Sequence, residues 1–146
     1  MNIERAGPRD AEALAPLFDA YRQFFTGGND IERSQAFLRE RLENDECVVF
    51  LARTDAAPIG FVQLYPLWSS WYCARIWFLS DLYVAEHARR GGAGKALVER
   101  VKQHASETGA SSVMVELPLS EPHLRDFYDG LGFHEDPVFG LARYSK

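Results

Sequence analysis

Apolar and polar positions change period along the chain, and the changes mark its elements. Residues 2–6 read as a short strand, and Gly7-Pro8 followed by Asp10 reads as a helix start with an acid in its first turn. From there Leu14, Leu17, Phe18, Tyr21, Phe24 and Phe25 recur at helical spacing, with Pro16 either kinking the helix or marking its true beginning. Gly27-Gly28-Asn29 breaks the pattern, and residues 31–43 resume it with Phe37, Leu38 and Leu42 on one side and charges on the other. Residues 47–53 form a compact apolar run, 55–58 a turn, and 59–65 alternate as the returning arm of a hairpin. An aromatic connection over 66–72 leads to a long strand of buried character at 75–84. These strands are expected to be antiparallel neighbours.

Residues 92–108 return to helical period, with Leu97, Val98, Val101 and Ala105 as the apolar stripe and Gly109 as the stop, and 112–117 form another apolar strand. A strand, a helix and a strand in that order make a right-handed parallel crossover. Residues 121–131 make a short helix closed by Gly132, and two further short strands are expected around Phe133 and over 141–144. The pattern therefore predicts an α/β (α+β) fold in which about four helices flank a mixed, mostly antiparallel central sheet of six to seven strands. At 146 residues the chain suits one domain, spanning 1–146, with about two-thirds of its unfolded surface buried.

Composition narrows the function. A 47% hydrophobic and 25% charged chain is neither disordered, collagen-like nor a coiled coil. The longest apolar run, about residues 48–52, is far short of the roughly twenty residues of a bilayer span, and the opening MNIERAG lacks a charged-then-apolar leader. A cytoplasmic protein with no membrane partner is expected. Twenty-one acids against 16 bases give a net charge of -5, which disfavours nucleic acid and suits neutral or cationic partners. Cys47 and Cys73 form no CxxC and read as packing thiols; His87, His104, His123 and His134 never fall at metal-ligand spacing, so no metal is expected.

Against that acidic background, Arg89, Arg90, Gly91, Gly92, Ala93, Gly94 and Lys95 follow the 75–84 strand and open a helix. A helix start carries unpaired N–H groups and about half a positive charge, and glycines let a phosphate come close to them. A nucleotide-triphosphatase loop would need glycine at Arg89 and Ser or Thr at Ala96, so that reading fails. A dinucleotide fingerprint fails as well, because Leu97 follows Gly92-Ala93-Gly94 and the preceding strand belongs to a hairpin. What fits is Arg89-x-x-Gly92-x-Gly94, of the form Q/R-x-x-G-x-G/A. With Tyr128-Asp129-Gly130-Leu131-Gly132-Phe133, similar to a Y-x-x-x-G-F element, and with this order of elements, the chain resembles the Gcn5-related N-acetyltransferase (GNAT) superfamily over nearly its whole length. Leu79-Ser80-Asp81-Leu82-Tyr83-Val84 is similar to the L-E-D-L/F-Y/F-V of the branch holding diamine and polyamine and Hpa2-type acetyltransferases. Two positions depart from the pattern: Ser80 replaces a glutamate, and Glu121 stands where an asparagine often touches the cofactor.

The resemblance implies transfer of acetyl from acetyl-CoA to a primary amine of a small, polyamine-like molecule or of a lysine or peptide. It puts the pyrophosphate on residues 89–95 and the pantetheine along the N–H groups of Leu82, Tyr83 and Val84, where neighbouring strands must splay. An alkyl ammonium with a pKa near 10.4 is neutral in about one molecule in two thousand at pH 7, so a base is needed. The candidates are Asp81, another acid on the substrate side, or Ser80 ordering a water chain; strand alternation puts Ser80 on the side of Leu82 and Asp81 on that of Tyr83. The resemblance supplies Tyr128 as the acid for the departing thiol. The cluster of Trp68, Trp71, Tyr72, Trp77 and Phe78 reads as a hairpin core or a homodimer surface rather than a substrate cage, and a non-catalytic acyl-CoA-binding or sensing module is the alternative function.

Overall fold

The computed structural model describes residues 1–55 and 57–146. They fall into two compact units, Met1–Glu116 and Leu117–Lys146. In the first, β1 (Asn2–Arg5), α1 (Ala11–Thr26) and α2 (Ile31–Glu43) precede β2 (Val48–Arg53), β3 (Pro58–Ser69) and β4 (Ala74–Val84), and α3 (Ala93–Glu107) leads to β5 (Ser112–Val115). The strands lie in the order β1-β2-β3-β4-β5, antiparallel except for the parallel β4/β5 pair made by the α3 crossover. The second unit holds α4 (Pro122–Asp129).

Alternation along β2 divides the core. Val49 and Leu51 join Leu14, Phe18, Leu38 and Phe61 under α1 and α2. Phe50 points the other way, edge-on to His104 of α3 at 5.4 Å. Pro16 lies inside α1, whose helix begins five residues earlier, so the proline neither starts it nor ends it. Its missing N–H costs one helical bond, and the burial of Leu14, Ala15 and Phe18 around it holds the segment in place. Phe24 and Phe25, though in phase, are exposed at 58% and 50%.

Two expectations change. β3 runs past Pro66 to Ser69: beyond Leu64 it has left β2 behind and pairs with β4 alone, so a residue without an N–H is tolerated on its free side. The sheet has five strands among the described residues, fewer than six to seven, because neither segment at the C-terminal end joins a ladder. The Phe133 N–H wraps back onto the Tyr128 carbonyl at 3.0 Å, and the Val138 and Phe139 N–H groups are taken by the Asp136 carboxylate, both at 2.8 Å, which fixes a turn. Leu141 and Tyr144 are exposed. The turn expected at 55–58 includes Ala56, which lies outside the described residues.

Among the described residues no helix is long and apolar enough to cross a membrane. A buried titratable group sits on the α3 face: His104 packs on Trp77 and Phe50, and its Nε2 has no partner among the described residues. Burial first, and then the charges of Arg5 and Arg100, hold its pKa below the ordinary 6.5. The unfolded imidazole thus takes a proton before the folded one does. Stability is full above about pH 6.5 and is lost as pH falls toward the folded value. Urea midpoints measured at about pH 7.5 and about pH 5 should differ, and His104→Gln should shrink the difference.

Candidate active site

The site begins where β4 loses a neighbour. Parallel pairing with β5 ends at Leu79 opposite Val115, while β4 continues to Val84 against β3 alone, so among the described strands Ser80 to Val84 have an unpartnered edge. Backbone groups on such an edge must find other partners. Gly60 keeps β3 close here: a Cβ on it would stand 3.0 Å from the Tyr83 carbonyl oxygen and 3.2 Å from Val84 Cγ2. Leu82, Tyr83 and Val84 thus form a well-backed ledge with one side open.

Just before the ledge the register slips. Leu64 faces Leu79 and Gln63 faces Asp81, so Ser80 is the extra residue of a β-bulge. The bulge overturns the simple alternation that puts Ser80 and Asp81 on opposite sides. Both line one cavity of about 360 Å³ on the α1/α2 face. The other walls are Phe18, Tyr21 and Arg22 of α1, Arg33 and Phe37 of α2, and Tyr65 of β3. Burial pushes the Asp81 carboxyl above its ordinary 3.8, and the hydroxyls of Tyr21 and Ser80, which donate to it, pull back only in part. A carboxyl raised in this way and facing a cavity can accept a proton from a bound molecule. Gln63 Nε2 donates to Tyr65 Oη at 3.1 Å, and burial raises the Tyr65 phenol far beyond its usual range, so it stays a neutral wall.

Beyond Val84 the chain makes one short 3-10 turn, Glu86–Ala88, and reaches the basic turn. Arg89 folds back, its Nε donating to the Val84 carbonyl at 3.0 Å with the guanidinium over the Tyr83 ring, and so ties the turn to the ledge. Arg90 and Gly92 both have left-handed backbones, with φ of 66° and 86°, and Gly92 caps α3 with no side-chain bond to the helix amides. The N–H groups of Ala93, Gly94 and Lys95 are left without helical partners. Nothing lies within 4 Å of a Cβ built on Gly92, so the mouth of this turn is open, with Arg90, Gly91 and Lys95 exposed around it. The open edge and the uncapped basic turn that follows it fit a ligand with an amide-bearing arm and a phosphate.

Tyr128 and Glu121 belong to the second unit. Tyr128 is buried, 4% exposed, with the rings of Phe127 and Phe133 set against it at 5.1 and 5.4 Å. Glu121 caps α4, its carboxylate 3.4 Å from His123 Nδ1. The exposed aromatics Trp68, Trp71 and Tyr72 surround the β3–β4 turn, at the opposite end of β4 from Val84, and none lines the cavity. Sequence reasoning missed Tyr21, Arg22, Arg33 and Tyr65 as individual wall residues; no local motif marks them. Among the described residues no group of three or more His, Cys, Asp or Glu could hold a metal ion.

A mixed sheet with a parted β4/β5 pair, a basic glycine turn beyond it and an acid-bearing cavity beside it defines a class, the acyl-group transferases that draw on a phosphate-bearing donor. The chain belongs to the acetyltransferase (GNAT) family, whose model matches residues 14–133. It is similar to the uncharacterized N-acetyltransferase YhfO of Bacillus subtilis (strain 168), 41% identical over 95% of this chain and 93% of that one. It is 38% identical to the D-amino-acid N-acetyltransferase HPA3 of Saccharomyces cerevisiae (strain ATCC 204508 / S288c), over 76% of this chain and 71% of that one. A crystal structure of a probable acetyltransferase superposes with a TM-score of 0.93 at 38% identity, covering 100% of this chain and 99% of that one. The protein is thus an enzyme of acetyl transfer, and the family's enzymes take the acetyl group from acetyl-CoA.

Proposed function

We propose that this enzyme acetylates the primary amine of a small molecule, or of a lysine or peptide, at the Asp81 cavity. One observation carries the reading: a raised carboxyl lines a cavity at the point where β4 acquires a free edge. The names of two relatives, a D-amino-acid and an aminoglycoside N-acetyltransferase, support a small amine over a protein lysine. Acetyl-CoA, when bound, supplies an acetyl group on a thiol that leaves readily. The α3 amides with Arg89, Arg90 and Lys95 would hold its phosphates, and the Leu82–Val84 ledge would hold its amide arm.

Asp81 takes one proton from the arriving ammonium, with Ser80 and Tyr21 fixing its carboxylate. The carbon–nitrogen bond then forms as the carbon–sulfur bond breaks, and the sulfur leaves with the electron pair. The amine's second proton goes to the thiolate, with Tyr128, in the role the family resemblance gives it, as the donor that is later refilled. Thiol release from acetyl-CoA across a panel of amino acids, polyamines, aminoglycosides and basic peptides tests the whole reading; release with none of them would sink it. For Tyr128→Phe, which keeps the ring, kcat should fall by about 10²-fold, the low end for a positioned acid, because a thiol of pKa about 8.5 needs little help. Acetyl-CoA affinity should hardly change. Unchanged turnover where chemistry limits the rate would leave Tyr128 a packing residue.

A further inference from the structure

The walls of the cavity carry information about the acceptor that the transfer chemistry does not require. The acid shares the cavity with two arginines, Arg22 and Arg33. Arg22 is half-buried; the contacts recorded for it run through Nη1, which donates to Ser34 Oγ at 2.8 Å and lies 3.9 Å from Asp19. Asp19 is itself fully supplied: Gln23 Nε2, the Asp30 N–H and Ser34 Oγ all donate to it. Arg33, one turn into α2, is exposed, and among the described residues no carboxylate pairs with its guanidinium. The remaining walls are mainly aromatic: Phe18, Tyr21, Phe37 and Tyr65. By contrast, the concavity over α3 near Ile3 and Lys102 has its charges occupied along the helix, Lys102 with Glu99 and Arg100 with Glu107.

Resting on the transferase reading, we propose that the acceptor is an amino acid with an apolar or aromatic side chain, its carboxylate on Arg33 and Arg22 and its amine toward Asp81. A polyamine entering this cavity would bring a second cation toward two guanidiniums, an arrangement that costs energy in a partly desolvated space. A carboxylate reverses the sign of that interaction, and a guanidinium fork matches its two oxygens. The aromatic walls then take the side chain. The overall acidity of the chain does not decide the matter, because the local charges at the cavity differ from the average.

The test uses the full chain with acetyl-CoA and two molecules that differ only by the carboxylate: phenylalanine, as both enantiomers, and phenethylamine, with spermidine as a third arm. At least one enantiomer should exceed phenethylamine in kcat/KM by about tenfold or more, the worth of a charge-assisted bond to a carboxylate. Arg33→Gln should bring that ratio toward one, and Arg33→Glu should bring it below one; because the same pair is compared on each variant, the intrinsic reactivity of the amines cancels. Arg33 is on the surface of α2, so neither change threatens the fold. Preference of the native enzyme for phenethylamine or spermidine, or an undiminished ratio in both variants, overturns the proposal while leaving acetyl transfer intact. Absence of thiol release with every amine overturns the transferase reading together with it.

Discussion

Asp81→Asn should lower kcat/KM for the amine by about 10³-fold, within the span of a positioned general base, while leaving acetyl-CoA affinity close to native. Asparagine keeps the shape and one oxygen for the Tyr21 and Ser80 hydroxyls, so the loss is chemical. The pH profile separates the base from a structural acceptor. Burial raises the carboxyl above 3.8, and only its ionised form accepts the proton, so activity should fall as pH drops through that raised value. The Asn variant should lack this acid limb and retain only a slope set by the amine itself. A variant with native turnover and the same acid limb would move the base elsewhere, to another acid or to water ordered by Ser80.

The second large effect is on binding. Gly92→Glu should weaken acetyl-CoA by about 10³-fold or more in calorimetry, since it puts a carboxylate where phosphate oxygens are expected and closes the approach to the α3 amides. The native φ of 86° adds strain of about 1–2 kcal/mol for any other side chain. Gly92→Ala carries the same strain with little bulk and no charge, and the open space around the position means that neither substitution meets a neighbouring atom at its Cβ. The difference between the two variants therefore isolates the anion-binding contribution. Equal affinities in both, with native circular dichroism, would place the phosphates away from this turn.

Legibility in the sequence followed how local each feature is. The glycine-basic turn is contiguous, so the anion site proposed there could be read from the sequence without a structure. α2 was readable to the residue because the Gly27-Gly28-Asn29 break stands just before it and its apolar stripe sits at fixed spacing; the Asp30 cap, which accepts the Arg33 N–H, came only with the structure. The cavity was not readable, because Tyr21, Arg33, Tyr65 and Asp81 come from four elements and meet only through tertiary packing. Period-two alternation also hides any bulge: the pattern across Ser80 looks regular, yet one extra residue there turns its side chain to the side of Asp81. The expected strands at the end of the chain failed for a different reason: the Asp136 carboxylate takes the Val138 and Phe139 N–H groups in a local turn, which a reading of apolar alternation does not register.

The open length of β4 has a bearing on how such an enzyme can diversify. The groups proposed to hold the donor are mostly main chain: strand N–H groups, helix N–H groups and a left-handed glycine. Apart from the glycine and the basic residues around it, the side chains along these segments can vary without touching those groups. The walls proposed to choose the acceptor are nearly all side chains, on α1, α2 and β3. Point substitution therefore acts on the two halves of the reaction very unequally, so a lineage can exchange one acceptor for another a residue at a time without putting its acetyl supply at risk.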